Sequence, residues 1–256
     1  MAAVIKHFFD VSTFTFTYVV HDPETRAGVV IDPVLNYEPA AGRCTTDSVK
    51  TLIEYVESEN IRIEYLLETH IHADHLSGTR VLQEAIGGKI CIGSEVVQVQ
   101  AAFSDIFNVE HSFATNGSQF DRLLADGESF AVGKLQFRVL HTPGHTPACV
   151  SYLVEDCVFV GDTLFMPDYG TARTDFPAGS ASTLYQSIQK ILSLPDQTRI
   201  FLCHDYGSET RPEFCEQTTV GEEKANNIHL RDIDSEEDFI SMRETRDAML
   251  KAPALL

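Results

Sequence analysis

Four metal-ligand side chains stand within six residues, in Thr69-His70-Ile71-His72-Ala73-Asp74-His75, directly after the apolar run Arg62-Ile63-Glu64-Tyr65-Leu66-Leu67. Residues two apart on an extended chain point to the same side, so His70 and His72 can face one ion. Asp74 and His75 follow where the chain bends toward a helix, and Gly78 one turn on gives the backbone room to pack closely. Three further ligand types follow, each at a strand end or loop tip: Pro143-Gly144-His145-Thr146, Gly161-Asp162-Thr163 and Cys203-His204-Asp205. Imidazoles and carboxylates without thiolates suit a catalytic zinc or iron with open positions rather than a closed structural site.

The rest of the chain is patterned to support such a cluster. An alternating β-branched and aromatic run, Ser12 to Val20, turns at Asp22-Pro23-Glu24 into Ala27 to Asp32, which predicts a hairpin. Val49, Leu52, Ile53 and Val56 recur at helical spacing, and the strand at 62–67 then delivers His70. A helix from Leu76 to Ile86, a strand at 89–92 and a helix from Ser94 to Phe107 are expected next. The second half repeats the plan: a hairpin around Gly133-Lys134, a second around Glu155-Asp156 ending at Asp162, a helix over Leu184–Leu192, and a strand at 199–202 that delivers His204. Two β-rich halves with helices between them suggest two sheets face to face and helices outside, an α+β class. The tail over 219–250 reads as helical, with Ser235-Glu236-Glu237-Asp238 as a capping start. No linker divides the chain, and 256 residues at 43% hydrophobic suit a single domain over 1–256.

Charge removes several function classes. A net charge of -19, from 19 basic and 38 acidic residues, argues against a phosphate-neutralising surface for nucleic acid and against anionic membranes. No run approaches the roughly 20 apolar residues of a spanning helix. The start Met1-Ala-Ala-Val-Ile-Lys-His lacks the features of a secretory signal, which predicts a cytoplasmic protein. The six cysteines form no Cys-x-x-Cys pair, as expected in a reducing compartment, and Cys149, Cys157 and Cys203 read as small core residues. His7, His21, His111, His141 and His229 read as non-ligands.

The order Thr-His-x-His-x-Asp-His followed by His145, Asp162 and His204 resembles the metallo-β-lactamase fold superfamily, over roughly Phe8 to Lys224. The resemblance implies an αββα sandwich with the metal site at the strand edge between the sheets. Two glutathione-handling branches are similar. Glyoxalase II enzymes use all seven ligands for two metals and hydrolyse S-acyl-glutathione thioesters; persulfide dioxygenases bind one Fe(II) through two His and one Asp.

The segment Pro167-Asp168-Tyr169-Gly170-Thr171-Ala172-Arg173-Thr174-Asp175-Phe176 resembles the bacterial type of persulfide dioxygenase, as do Thr142 to Pro147 and His204-Asp205-Tyr206. Carried over residue by residue, that resemblance implies iron on His70, His145 and Asp162, with His72, Asp74, His75 and His204 as supporting groups or a second metal position. It implies glutathione persulfide and O2 as substrates, sulfite and glutathione as products, and a homodimer. Glutathione has two carboxylates, so cations are expected near the metal: Arg173 first, then Arg211, with Tyr169 and Tyr206 as hydrogen-bonding groups. The ligands alone leave a two-zinc or mixed-metal thioester hydrolase open, because every side chain of a binuclear site is present. A metal-sensing binding protein on the same fold is a third reading, with no interaction module in the sequence to support it.

Overall fold

A computed structural model describes residues 2–110 and 112–251, which leaves His111 outside the described residues. In chain order the elements are β1 (Val4–Asp10), β2 (Thr15–His21), β3 (Ala27–Ile31), β4 (Val34–Glu38), β5 (Arg43–Thr45), α1 (Asp47–Ser58), β6 (Arg62–Leu67), β7 (Leu76–Ser77), α2 (Thr79–Ile86), β8 (Lys89–Gly93), α3 (Val96–Ile106) and β9 (Arg122–Leu124). The second half contains β10 (Ser129–Val132), β11 (Leu135–His141), β12 (Val150–Val154), β13 (Cys157–Phe159), α4 (Ala181–Leu192), β14 (Arg199–Phe201), β15 (Gln217–Thr219), α5 (Val220–Asn226) and α6 (Glu236–Asp247).

Two six-stranded sheets form, in the orders β1-β2-β3-β6-β8-β9 and β10-β11-β12-β13-β14-β15, with β5-β4-β7 as a small third sheet. Period-2 alternation decides which side chains meet between them. Phe16, Tyr18, Val29, Ile31 and Leu67 from the first sheet pack on Phe137, Val139, Tyr152 and Phe159 from the second. The opposite faces are also buried, so these strands read as nearly continuous apolar runs. Val19, Val30 and Leu66 face Val49, Leu52 and Val56 of α1 and Leu82 of α2. On the far side Leu140 and Val158 face Leu184 and Ile188 of α4 and Phe239 of α6. This is the αββα sandwich.

Parallel pairing of β3 with β6, and of β13 with β14, places the ends of β6, β13 and β14 at one edge, where the ligand-bearing loops leave.

Some expectations needed adjustment. The first strand, β1, pairs along its whole length with β2, yet its exposed and half-buried side chains carry no clear alternation that would announce it. The helix expected from Leu76 begins at Thr79, because Leu76 and Ser77 pair with Leu35 and Val34 of β4. The tail contains two helices rather than one continuous run; the Ser235 hydroxyl accepts from the Asp238 N–H at 3.2 Å and starts the second.

Candidate metal centre

The loop after β6 is set by a carboxylate one residue past the end of β3. Asp32, at φ +49°, accepts the Thr69 N–H at 2.7 Å and the Thr69 hydroxyl at 2.8 Å, which fixes the chain as it enters the ligand run. Gly161 brings the end of β13 against the same point. A Cβ there would lie 2.6 Å from the Thr69 hydroxyl, and its φ of +55° suits glycine, so Asp162 arrives beside His70. Gly144, at φ +139°, lies so close to α4 that a Cβ would meet the Leu184 backbone at 2.3 Å; the Ser180 N–H bonds its carbonyl at 2.8 Å. That contact holds His145 over the cluster.

Each imidazole has one nitrogen committed outward, which assigns the other. Nδ1 of His145 donates to the Arg173 carbonyl at 2.9 Å, and Nδ1 of His75 donates to the Leu76 carbonyl at 3.2 Å. Nδ1 of His70 lies 3.0 Å from the Thr69 hydroxyl, whose own proton is given to Asp32, and Nδ1 of His204 lies 3.2 Å from Thr15 Oγ1. Their Nε2 atoms therefore turn inward as lone pairs. His72 is reversed: its Nε2 lies 3.3 Å from Asp32 and 3.2 Å from Glu68, and its Nδ1 turns inward.

The inward atoms have no hydrogen-bond partner. Nε2 of His70, His75 and His204, Nδ1 of His72, Asp74 Oδ2 and Asp162 Oδ1 are all buried and unsatisfied. Leaving one such group unmade costs about 1–3 kcal/mol, so six together mark a place built for a cation. The seven expected donors fall into two sets of mutually close atoms, His70 with His145 and Asp162, and His72 with Asp74, His75 and His204; Asp162, Cys203 and His204 form a further set overlapping both, and Asp32, Glu68 and His72 another. Asp162 joins the sets: its Oδ2 lies 3.6 Å from His70 and 3.5 Å from His145, while its Oδ1 lies 3.3 Å from His204. Donors sharing one ion at bonds of about 2.1 Å stand roughly 3.4 Å apart, so the spacing and chemistry fit a metal. Burial and the neighbouring imidazoles hold His70 well below the usual histidine range, as a neutral ligand requires. Burial and His72 likewise depress His75 to about 3. Burial also opposes charge on His72, but Asp32 and Glu68 overcome it and raise that group well above the ordinary value.

A cavity of about 490 Å³ opens on the cluster, lined by Asp74, His145, Asp162, Tyr169, Arg173 and Tyr206 among others. His72 and His75 face a different, apolar cavity of about 500 Å³ beside Phe103, Phe113 and Phe120. Both tyrosines expected from the sequence are in the cationic cavity, and burial raises their phenols so that they remain hydrogen-bond donors. Arg173 is also there, although it makes two bonds to Asp175, at 2.6 and 2.7 Å, and one to the Lys251 carbonyl at 2.9 Å. Arg211 does not line this cavity. Its guanidinium is divided between Asp168, at 3.0 and 3.2 Å, and Asp205, at 2.5 and 2.8 Å, so it ties the loop after β13 to the loop after β14.

Sequence reading missed Arg243, Arg246, Lys251 and His229, which complete the cavity wall from the C-terminal segment. It also missed Asp32 and Glu68 as partners of His72. The one available signal was Arg243 and Asp247 at helical spacing, an ion pair of 2.8 Å that is almost fully buried. His141 stays outside the cluster, bonding the Pro147 carbonyl at 2.8 Å. Cys149, Cys157 and Cys203 are buried. No helix among the described residues is long and apolar enough to cross a membrane.

Comparison with known proteins gives the same centre a family. The metallo-beta-lactamase superfamily model matches residues 12–204. Glyoxylase B2 of Dictyostelium discoideum is 48% identical over 99% of this chain and 87% of its own length. Human mitochondrial persulfide dioxygenase ETHE1 is 32% identical over 89% of this chain and 76% of its own. Among solved structures, ETHE1 from Myxococcus xanthus superposes with a TM-score of 0.77 at 31% identity, covering 98% of this chain and 94% of that one. A buried His and Asp metal-binding site at the edge of an αββα sandwich, joined to these matches, places the chain in the metallo-β-lactamase superfamily.

Proposed function

We propose that this protein is a glutathione persulfide dioxygenase with one Fe(II) held by His70, His145 and Asp162. The observation that carries the reading is the division of the donors between two cavities. His145 and Asp162 line the cationic cavity, joined there by Asp74 of the other set, whereas His72 and His75 face the apolar one, so one imidazole and the carboxylate of the two-His-one-carboxylate set open toward the space where an anionic substrate fits. Ferrous iron there supplies the redox chemistry by which glutathione persulfide, O2 and water give glutathione and sulfite.

The chain's own residues do the rest. Arg246 and Lys251, beside Arg173 and Arg243 that are paired with Asp175 and Asp247, bring cations to a cavity whose wall also carries Asp74, Asp162 and Asp168, and offer a thiol with two carboxylates its partners in a protein of net charge -19. Tyr169 and Tyr206, whose ring centroids lie 4.9 Å apart, present hydroxyls to the substrate backbone. Asp32 and Glu68 hold His72 by its Nε2, and Arg211 fixes Asp168 and Asp205, so both act by positioning rather than by contact with the reacting sulfur. We read 1–256 as a single domain acting as a cytoplasmic homodimer.

A dinuclear thioester hydrolase is the second reading. It is favoured by the complete second donor set, His72, Asp74, His75 and His204, and by the match to a protein named a glyoxylase. Purification under argon, with iron and zinc counted per chain, separates the two. About one iron per chain and O2 uptake dependent on glutathione persulfide are expected. Two metals per chain, with hydrolysis of S-lactoylglutathione and no such O2 uptake, would overturn the proposal.

A further inference from the structure

The imidazole of His229 has a chemical job that the metal centre leaves unassigned. It is 4% exposed and stands in the wall of the cationic cavity with His145, Asp162 and Arg173. Its Nδ1 accepts the Thr171 backbone N–H at 2.9 Å. A backbone N–H can only donate, so Nδ1 carries no proton and the neutral ring is protonated at Nε2. That Nε2–H is buried without a partner among the described residues. Burial, with Arg243 and Arg246 nearby, depresses the group to about 3, so it stays neutral in ordinary buffers.

The surrounding structure is arranged to hold this ring in one orientation. Gly170, at φ +104°, is so close that a Cβ would lie 2.2 Å from His229 Nδ1; only glycine leaves space for the imidazole. The Asn227 side-chain oxygen accepts the His229 N–H at 2.9 Å, and Asn227 Nδ2 reaches the Gly170 carbonyl at 3.2 Å. A fixed, buried donor beside arginines, with no acceptor in the protein, calls for an acceptor from outside.

We infer that His229 Nε2–H and the Arg246 guanidinium together form a subsite for one carboxylate of the thiol-bearing substrate. A neutral N–H beside a guanidinium gives a carboxylate one hydrogen bond to each oxygen. His229 is thus a positioning residue that sets the distance between the carboxylate end of the substrate and the sulfur end at the metal. This rests on the glutathione reading of the cavity.

The test uses binding, so that it does not depend on turnover. Titration calorimetry under argon compares S-methylglutathione with its diethyl ester on the protein as purified. His229→Asn keeps an oxygen near the Nδ1 position for Thr171 and removes the Nε2–H; His229→Gln returns an N–H at about the Nε2 depth. The expected result is that wild type prefers the free acid, that His229→Asn weakens it roughly tenfold or more with the diester unchanged, and that His229→Gln recovers part of the loss. Equal weakening of acid and diester in His229→Asn would show a structural role alone and overturn the subsite. So would wild-type affinity in His229→Asn, or no acid preference in wild type. Failure of persulfide-dependent O2 uptake with these binding differences intact would sink the dioxygenase reading and leave the subsite standing.

Discussion

The loop after β6 and the C-terminal segment from α5 to α6 meet the same substrate space by opposite means. The loop brings four donors from six consecutive residues, each imidazole steered by a bond from its outer nitrogen. The C-terminal segment supplies no donor to the metal sets; it binds the backbone of the stretch from Pro167 to Thr174. The Arg243 guanidinium donates to the Thr171 carbonyl at 3.1 Å, Asp247 accepts the Thr174 N–H at 2.8 Å, and the Ile228 N–H reaches the Pro167 carbonyl at 2.9 Å. Four of the seven metal donors thus stand close together in sequence, with His145, Asp162 and His204 delivered from later strand ends, while the cavity wall is set by main-chain contacts between segments about 70 residues apart.

Separating the two regions by mutation tests that division, and the largest effect belongs to the residue shared by both metal sets. Asp162→Ala is expected to lower bound metal at least tenfold while the metal-free protein keeps its circular dichroism spectrum. His72→Ala is expected to keep most of the iron if one ion is held by the first set; equal loss in both variants, by elemental analysis, would merge the sets into one binuclear site. Next comes the cover. Arg243→Met leaves Asp247 buried and unpaired, for a loss of about 3–5 kcal/mol, or about 10 °C in the Tm of metal-free protein. Metal content should be retained, and its parallel loss would show the two regions to be one unit.

A smaller effect comes from α5. Glu223 is fully buried; burial pushes its carboxyl up to about 8 from an ordinary 4.5, with Asn227 bonded to one oxygen at 2.6 Å. Between those values the folded chain holds a proton that the unfolded chain has released, so stability falls as pH rises through the interval. Glu223→Gln stays neutral and is expected to melt about 3 °C or more above wild type at pH 9, with the difference vanishing near pH 4.5. No difference at pH 9 would place Glu223 in contact with water. The smallest effect serves as a control: Arg43→Ala removes an exposed pair with Glu38 and should change stability by less than about 1 kcal/mol in denaturant titration.

Legibility followed the same division. The sandwich could be read because its central strands are apolar on both faces, and the ligand run could be read because extended residues two apart share a side. Asp162 and His204 became readable only as strand ends following apolar runs. Nothing in the sequence around 229 marks a cavity wall, because the partner of His229 is a backbone N–H at Thr171, and backbone groups leave no trace in residue identity. Arg211 illustrates the converse. It was a sensible substrate cation by neighbourhood, yet two carboxylates from separate loops, Asp168 and Asp205, occupy it.

The close approach of Gly170 to the His229 ring has a consequence for how such chains can diverge. A side chain at 170 and an imidazole at 229 cannot occupy the same space, so either position can change only after the other has given way. Relatives that carry a bulkier residue at the first should have a smaller one at the second. A chimera that exchanges the C-terminal helices without the loop they cover should fold with a displaced cavity wall, so the two segments are inherited together or not at all.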